Sequence, residues 1–108
     1  MRESVQHPGE LIHHEEDDLG KICVYERDDK RYLTFGNIIE QSCYNPARPW
    51  QLEHAYTQGM MLGVLLQEEV RSALVLGLGG GTLVHALRHV RPQIEIEAVD
   101  CRMGIIRI

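Results

Sequence analysis

A run of glycines between two apolar segments restricts the folds open to this chain. Leu74–Leu87 reads LVLGLGGGTLVHAL, so the apolar run Ser72–Leu76 leads directly into Gly77–Gly81 and then into a helical pattern. A continuous apolar run is typical of a parallel strand covered on both faces. Glycine permits the tight turn from strand to helix and lets a ligand approach backbone N–H groups closely. Ile94–Val99 then predicts a second strand ending at Asp100. The segment therefore predicts a βαβ unit.

The acid at the end of this unit indicates what the unit binds. A carboxylate at the tip of the second strand can accept hydrogen bonds from both hydroxyls of a ribose, which makes Asp100 a candidate nucleoside ligand. No Lys-Ser or Lys-Thr pair follows the glycines, so the loop is not a P-loop. Thr82 stands where a dinucleotide motif has its last glycine. This disfavours nicotinamide and flavin and favours an adenosyl ligand without a pyrophosphate. A purely structural turn is the alternative.

Upstream of the unit, alternating and β-branched residues predict a meander of three short antiparallel strands. A loop rich in Asn and Pro follows the strands, and Trp50–Glu69 then carries apolar residues at helical spacing. We interpret Met60 and Met61 in that helix as core residues. The predicted strands are Lys21–Arg27, Arg31–Phe35 and Ile38–Ser42.

The first 19 residues are polar and include His13, His14 and the acidic run Glu15-Glu16-Asp17-Asp18. Adjacent histidines point in different directions on any regular element, and no further ligand stands at a suitable spacing. We therefore expect a solvated flexible arm over residues 1–19, and no metal site.

Composition and charge argue against a nucleic-acid-binding, membrane-spanning or secreted protein. The formal net charge is −5, a poor match for phosphate backbones, so we expect no nucleic-acid partner. No apolar run approaches the roughly 18 residues that a membrane span needs, and the N-terminus is not a signal peptide. Cysteines 23, 43 and 101 show no CxxC spacing. They indicate reduced thiols in a cytoplasmic protein.

Two motifs resemble the spermidine synthase (polyamine aminopropyltransferase) family. One is Arg31–Asn37 followed by Gln41-Ser42, which resembles the hairpin of that family, and the other is the strand and glycine loop Leu74–Gly81. The resemblance runs from about Gly20 to the end of the chain. It implies an α/β fold, with an N-terminal antiparallel hairpin or meander, a helix, and the first βαβ unit of a methyltransferase-like Rossmann fold.

The resemblance also implies a ligand and its contacts. The family transfers an aminopropyl group from decarboxylated S-adenosylmethionine to a diamine and needs no metal. The residues that match its nucleoside-binding positions are Gln41, Gly77, Gly79, Gly81 and Asp100. Its polyamine-binding cluster has a counterpart, in another order, in Glu53, His54 and Tyr56.

This chain departs from the family pattern at two positions that take part in aminopropyl transfer. The family carries an aspartate in the glycine motif that positions the charged aminopropyl end, and the matching residue here is Gly80. The catalytic aspartate of the family lies in a segment beyond the second Rossmann strand, so no residue of this chain is assigned as the general base. A methyltransferase fragment that binds S-adenosylmethionine, and a non-catalytic interaction module, are the alternative functions.

The predicted organisation is an arm (1–19), a β module with its loop (20–49), and a linking helix with the start of a Rossmann-like domain (50–108). We expect the last segment to begin a crossover helix whose Ile105, Ile106 and Ile108 have nothing to bury them. On this basis we expect the chain to be the N-terminal part of a longer protein. The sequence is also compatible with a homo-oligomer.

Overall fold

The computed structural model describes residues 9–37 and 39–108. Over these residues the chain forms an antiparallel sheet of four strands in the order β1-β2-β3-β4, followed by a parallel sheet of two strands, β5-β6. Three helices accompany the sheets in the described residues. The bounds are β1 Glu10–Asp17, β2 Gly20–Arg27, β3 Lys30–Thr34, β4 Glu40–Tyr44, α1 Ala55–Leu65, β5 Ser72–Leu76, α2 Thr82–Val90, β6 Glu95–Val99 and α3 Met103–Arg107.

The prediction of a flexible arm is wrong for Glu10–Asp17, which form β1. This strand pairs antiparallel with β2, so that Glu16 lies opposite Lys21 and Asp17 opposite Gly20. Both of its faces are largely polar and exposed, so its sequence lacks the apolar alternation that marks a half-buried strand. Backbone pairing at the sheet edge stabilises it instead. Residues 1–8 of the predicted arm lie outside the described residues.

The remaining predicted elements are present, and all of them except β5 have shifted ends. The last strand of the meander runs over Glu40–Tyr44 rather than Ile38–Ser42, and Ile38 lies outside the described residues. The predicted helix Trp50–Glu69 is shorter, at Ala55–Leu65. Residues 50–54 of the predicted helix are not helical, and the side chains of Glu53 and His54 instead contact Lys30 and Glu40 of the antiparallel sheet.

Two hydrophobic clusters hold the elements together. The first lies between α1, α2 and one face of the parallel sheet, and consists of Met61, Val75, Ala86, Leu87 and Ile94. Met61 is therefore a core residue as predicted, whereas Met60 is 56% exposed. The second cluster lies on one face of the antiparallel sheet and consists of Ile22, Val24, Leu33 and Ile105.

The second cluster corrects a prediction about the C-terminal helix. Ile105 was expected to lack a burial partner, yet it is 3% exposed because α3 packs on the antiparallel sheet. Ile106 and Ile108 do remain exposed. The N-terminal sheet is thereby brought against the carboxyl end of the parallel strands, where the glycine loop lies. Among the described helices none is both long and apolar enough to cross a membrane.

Candidate functional site

The glycine loop joins β5 to α2 through three left-handed backbone conformations. Gly77, Gly79 and Gly81 have φ angles of 86°, 55° and 76°, a region that side chains other than glycine rarely adopt. The Gly77 N–H donates to the Val99 carbonyl at 2.8 Å, which ties the start of the loop to the end of β6. The loop therefore presents backbone rather than side chains at the carboxyl edge of the parallel sheet.

Asp100 follows β6 at the same edge, and backbone amides hold its carboxylate. The Leu78 N–H donates to Asp100 Oδ2 at 3.0 Å, and the Arg102 N–H donates to Asp100 Oδ1 at 3.0 Å. Asp100 is half-buried. A carboxylate offers about four lone-pair sites, so two sites remain for further donors. The geometry thus leaves Asp100 able to accept from a pair of hydroxyls.

The other side of the loop faces the antiparallel sheet. A side chain at Gly80 would bring its Cβ within 2.6 Å of Ser42 Oγ and 3.2 Å of Ser42 Cβ. Gly80 has no left-handed φ, so contact with Ser42, not backbone strain, is what restricts the residue here. The two sheets therefore meet closely at this position.

A cavity of about 540 Å³ lies between the antiparallel sheet, the glycine loop and α3. The rings of Tyr44 and His85 approach each other at its wall, with centroids 5.8 Å apart. This volume is within the range of small-molecule sites. The polar and glycine residues that line the cavity are His13, Arg31, Ser42, Tyr44, Gly79, Gly80, Gly81, His85 and Arg107.

The residues predicted to bind the nucleoside lie in two places, the cavity and the edge of the parallel sheet. Gly79 and Gly81 line the cavity, while Gly77 and Asp100 lie at the edge of the parallel sheet. Gln41 is half-buried, is not among the cavity-lining residues, and its backbone carbonyl accepts from the Tyr56 hydroxyl at 3.4 Å. Their roles in binding stay predictions.

The predicted polyamine contacts are held against the antiparallel sheet. Lys30 Nζ lies 3.0 Å from Glu53 Oε2, and His54 Nε2 lies 3.1 Å from Glu40 Oε2. The pKa of Lys30 is raised because it donates a hydrogen bond to Glu53. The structure brings Glu53, His54 and Tyr56 together, but none of them lines the cavity. The side chains of Glu53 and His54 thus join the segment before Ala55 to β3 and β4.

Sequence patterns did not point to Arg102, which supports the site from behind. It is 7% exposed, and its guanidinium donates to both Asp17 carboxylate oxygens, at 3.0 and 2.6 Å, and to the Gly20 carbonyl at 2.9 Å. The hydrogen bond from Arg102 holds the pKa of Asp17 below its usual value. No local pattern signals a contact between residues that lie 85 positions apart.

Within the described residues, no group of three or more His, Cys, Asp or Glu side chains is placed to hold a metal ion. His13 Nε2 contacts Glu15 Oε1 at 3.1 Å.

No family model matches the chain. The chain is 26% identical over 94 residues to a polyamine aminopropyltransferase of Vibrio vulnificus strain CMCP6, a match that covers 83% of this chain and 31% of the relative. The resemblance to the polyamine aminopropyltransferases is confirmed.

A solved structure supports the fold. The chain superposes on a probable spermidine synthase from Corynebacterium glutamicum ATCC 13032 with a TM-score of 0.69 and 18% identity, over 88% of this chain and 37% of that one. The chain therefore shares the fold of that protein over the superposed part. The chain spans about a third of the length of both proteins, 31% and 37%.

Proposed function

We propose that this chain binds an adenosyl nucleoside of the S-adenosylmethionine type, as the nucleoside-binding part of an aminopropyltransferase-like protein. The observation that carries the proposal is the position of Asp100 beside the glycine loop. Backbone amides of Leu78 and Arg102 fix its carboxylate at 3.0 Å each. Its unused lone pairs are available to the two ribose hydroxyls.

The names of the similar proteins supply the reaction class. In a polyamine aminopropyltransferase the ligand would be decarboxylated S-adenosylmethionine and the acceptor a polyamine, with Glu53, His54 and Tyr56 as the proposed acceptor contacts. We assign no general base among the 108 residues. The proposal for this chain is therefore one of ligand binding.

One observation favours a second candidate, a methyltransferase-type site for S-adenosylmethionine itself. The position where the aminopropyltransferase motif carries an aspartate is Gly80, and Ser42 Oγ occupies the space that a side chain there would enter. Both candidates share the nucleoside site and differ in the group that lies beyond the ribose.

Calorimetric titration with 5′-methylthioadenosine tests the shared nucleoside site, because this ligand has no charged tail. Hydrogen bonds to a charged group contribute about 1.5–3 kcal/mol, so Asp100→Asn should weaken binding about tenfold or more. Asp18→Asn, in the exposed turn between β1 and β2, is the matched control and should bind normally. Wild-type protein that binds no methylthioadenosine, or an Asp100→Asn variant that is folded and binds equally well, would contradict the proposal.

A further inference from the structure

The strand β1 forms a free edge of the antiparallel sheet in the described part of the chain. It pairs with β2 alone, and no backbone hydrogen bond joins Glu10–Asp17 to any other described element. The other edge strand, β4, has neighbours beyond the sheet, because Ser42 lies against Gly80 and Glu40 contacts His54. Free backbone N–H and C=O groups along a strand are a template for pairing with another strand. The edge of β1 is therefore where a further strand can add to this sheet.

The regular part of this edge is short, which restricts how a second copy of the same strand can pair with it. The ladder with β2 shifts its register between Leu11 and His13, and the turn after β1 begins at Asp18. A bulge interrupts pairing, so the segment available is His13–Asp17. Two identical strands that pair antiparallel are related by a twofold axis, and the residue on the axis lies opposite its own copy. Full overlap of the segment places this axis at its middle residue, Glu15.

This register places a histidine opposite an acid at every position off the axis. His14 lies opposite Glu16 of the second copy, and His13 lies opposite Asp17. His14 and Glu16 are exposed, on the face of the sheet away from the second hydrophobic cluster. Opposite charges on directly opposite residues stabilise a sheet, and like charges destabilise it. The segment is therefore complementary in charge to a second copy of itself when its histidines are protonated.

Glu15 is the exception, because it lies opposite its own copy. Within each chain its carboxylate already has two basic neighbours. His13 Nε2 lies 3.1 Å from Glu15 Oε1, and Arg107 lies 3.5 Å from Glu15 Oε2. Each Glu15 therefore brings its own counter-charge to the axis.

Protonation of the histidines changes the balance of charge along the segment. His13–Asp17 contains three acids and two histidines, so its net charge falls from −3 to −1 when both histidines are protonated. Histidine is the side chain whose charge ordinarily changes between pH 5 and 8. Two copies of the segment therefore repel each other at the upper end of this range and complement each other at the lower end.

His14 is the histidine to which we assign this dependence on pH. The described groups that face it are Glu16 on its own strand, Cys23 opposite it on β2, and Lys21, which lies opposite Glu16. His13, in contrast, already has an acidic neighbour within its own chain. It also shares the cavity wall with the basic side chains of Arg31, His85 and Arg107. Protonation of His14 gives Glu16 of a second copy a counter-charge on the exposed face.

We propose that the edge of β1 is a docking site for β1 of a second copy of this chain, paired antiparallel about Glu15 and dependent on protonation of His14. The two sheets of four strands then form one sheet of eight. Because the twofold axis is perpendicular to the sheet, both glycine loops lie on the same side of it. This interface does not depend on the proposed nucleoside site.

Sedimentation velocity over a concentration series, at about pH 6 and about pH 8, measures the pairing. The chains carry Leu74→Lys and Leu76→Lys, because these exposed leucines of β5 offer a separate apolar contact. We expect a dimer whose dissociation constant is at least about tenfold lower at the lower pH, as for a few opposite-charge pairs across strands. A dissociation constant that is unchanged or lower at the higher pH, or a monomer at both, would overturn the proposal.

Substitutions of His14 separate this contact from a general effect of net charge. His14→Gln should abolish the gain in affinity at the lower pH. His89→Gln is the matched control, because His89 is exposed on α2 and its loss changes the net charge equally. His14→Lys, which is charged at both pH values, should dimerise equally well at both. Equal losses in the two glutamine variants, or a monomeric His14→Lys variant at the higher pH, would contradict the role of His14.

A disulfide tests the register. In the proposed pairing the two copies of residue 15 have Cα atoms about 4.5–5.5 Å apart, which suits a disulfide. Glu15→Cys, made together with His14→Lys and Cys101→Ser, should give a covalent dimer when oxidised with diamide at about pH 8, where thiols react readily. Asp18→Cys in the same chain is the control, because three positions from the axis the two copies lie roughly 20 Å apart.

Non-reducing electrophoresis reads out the result. The native Cys23 and Cys43 are buried, and Cys101, the exposed thiol, is removed in both chains. We expect the covalent dimer with Glu15→Cys and little of it with Asp18→Cys. No covalent dimer with Glu15→Cys, or equal yields from the two chains, would overturn the pairing about Glu15.

Discussion

Arg102 links the antiparallel sheet to the candidate site through two different parts of the same residue. Its guanidinium is buried against Asp17 and the Gly20 carbonyl, and it lies 4.7 Å from the centroid of the Phe35 ring. Its backbone N–H meanwhile donates to Asp100. The β1–β2 turn therefore holds in place the residue that orients the carboxylate proposed to bind ribose.

This link predicts a dependence of stability on pH. The hydrogen bond from Arg102 lowers the pKa of Asp17 in the folded chain below the value of about 3.9 that an unfolded chain has. The stabilisation is therefore complete above about pH 5 and is lost as the pH falls through the folded pKa. We expect Asp17→Asn to melt at a lower temperature than wild type at pH 7, with the difference vanishing at the lowest pH.

Thermal melts followed by circular dichroism from pH 7 to pH 2 measure the effect. Asp18→Asn is the control, because Asp18 is exposed in the adjacent turn, and its melting temperature should follow that of wild type throughout. A difference between Asp17→Asn and wild type that is equally large at every pH would show that the Asp17 charge is not responsible.

At this scale, the sequence predicted residues whose role is local. Gly77, Gly79 and Gly81 were predicted as loop glycines, and their positive φ angles are what makes glycine necessary there. The sequence indicates Ser42 only as part of a motif, and no pattern in it points to Arg102. Their contacts join segments that are distant in sequence, so neither periodicity nor spacing could reveal them.

The secondary-structure elements also differ in how well the sequence predicts them, according to whether they carry a local sequence signal. The strand β5 was predicted with its bounds, Ser72–Leu76, because an apolar run ending in glycine is a strong local signal. The strand β1 was missed because its polar side chains carry no such signal. Its pairing with β2 depends on the sheet rather than on its own sequence.

The helix α3 provides a test of how the two parts of the chain are joined. Ile105 is 3% exposed and packs with Ile22, Val24 and Leu33, whereas its neighbour Ile106 is 48% exposed. Ile105→Ala should lower the free energy of unfolding by about 2–4 kcal/mol, as for other buried isoleucines truncated to alanine. Ile106→Ala should lower it by less than about 1 kcal/mol. Urea denaturation followed by tryptophan fluorescence measures both, and equal effects would contradict the packing of α3 on the antiparallel sheet.

Among the described residues, helices cover one face of the parallel sheet and leave its other face exposed. The helices α1 and α2 cover the face that carries Val75. On the other face Leu74 is 60% exposed, Leu76 77% and Val99 45%. Parallel sheets are almost always covered on both faces, so this surface is unusual for a chain in isolation.

We therefore predict that the chain self-associates through this face at micromolar concentration. Light scattering coupled to size-exclusion chromatography should show species larger than the 12.4 kDa monomer. Leu74→Lys combined with Leu76→Lys should return the monomer, because each lysine would place a charge in the apolar contact.

Leu66→Lys, on the 82% exposed C-cap residue of α1, is the control and should leave the association intact. If Leu66→Lys disperses the protein and the double variant does not, the contact lies on α1, whose Leu62 and Leu65 are also exposed. A wild-type chain that is monomeric at all concentrations would show that the exposed face of the sheet does not drive association.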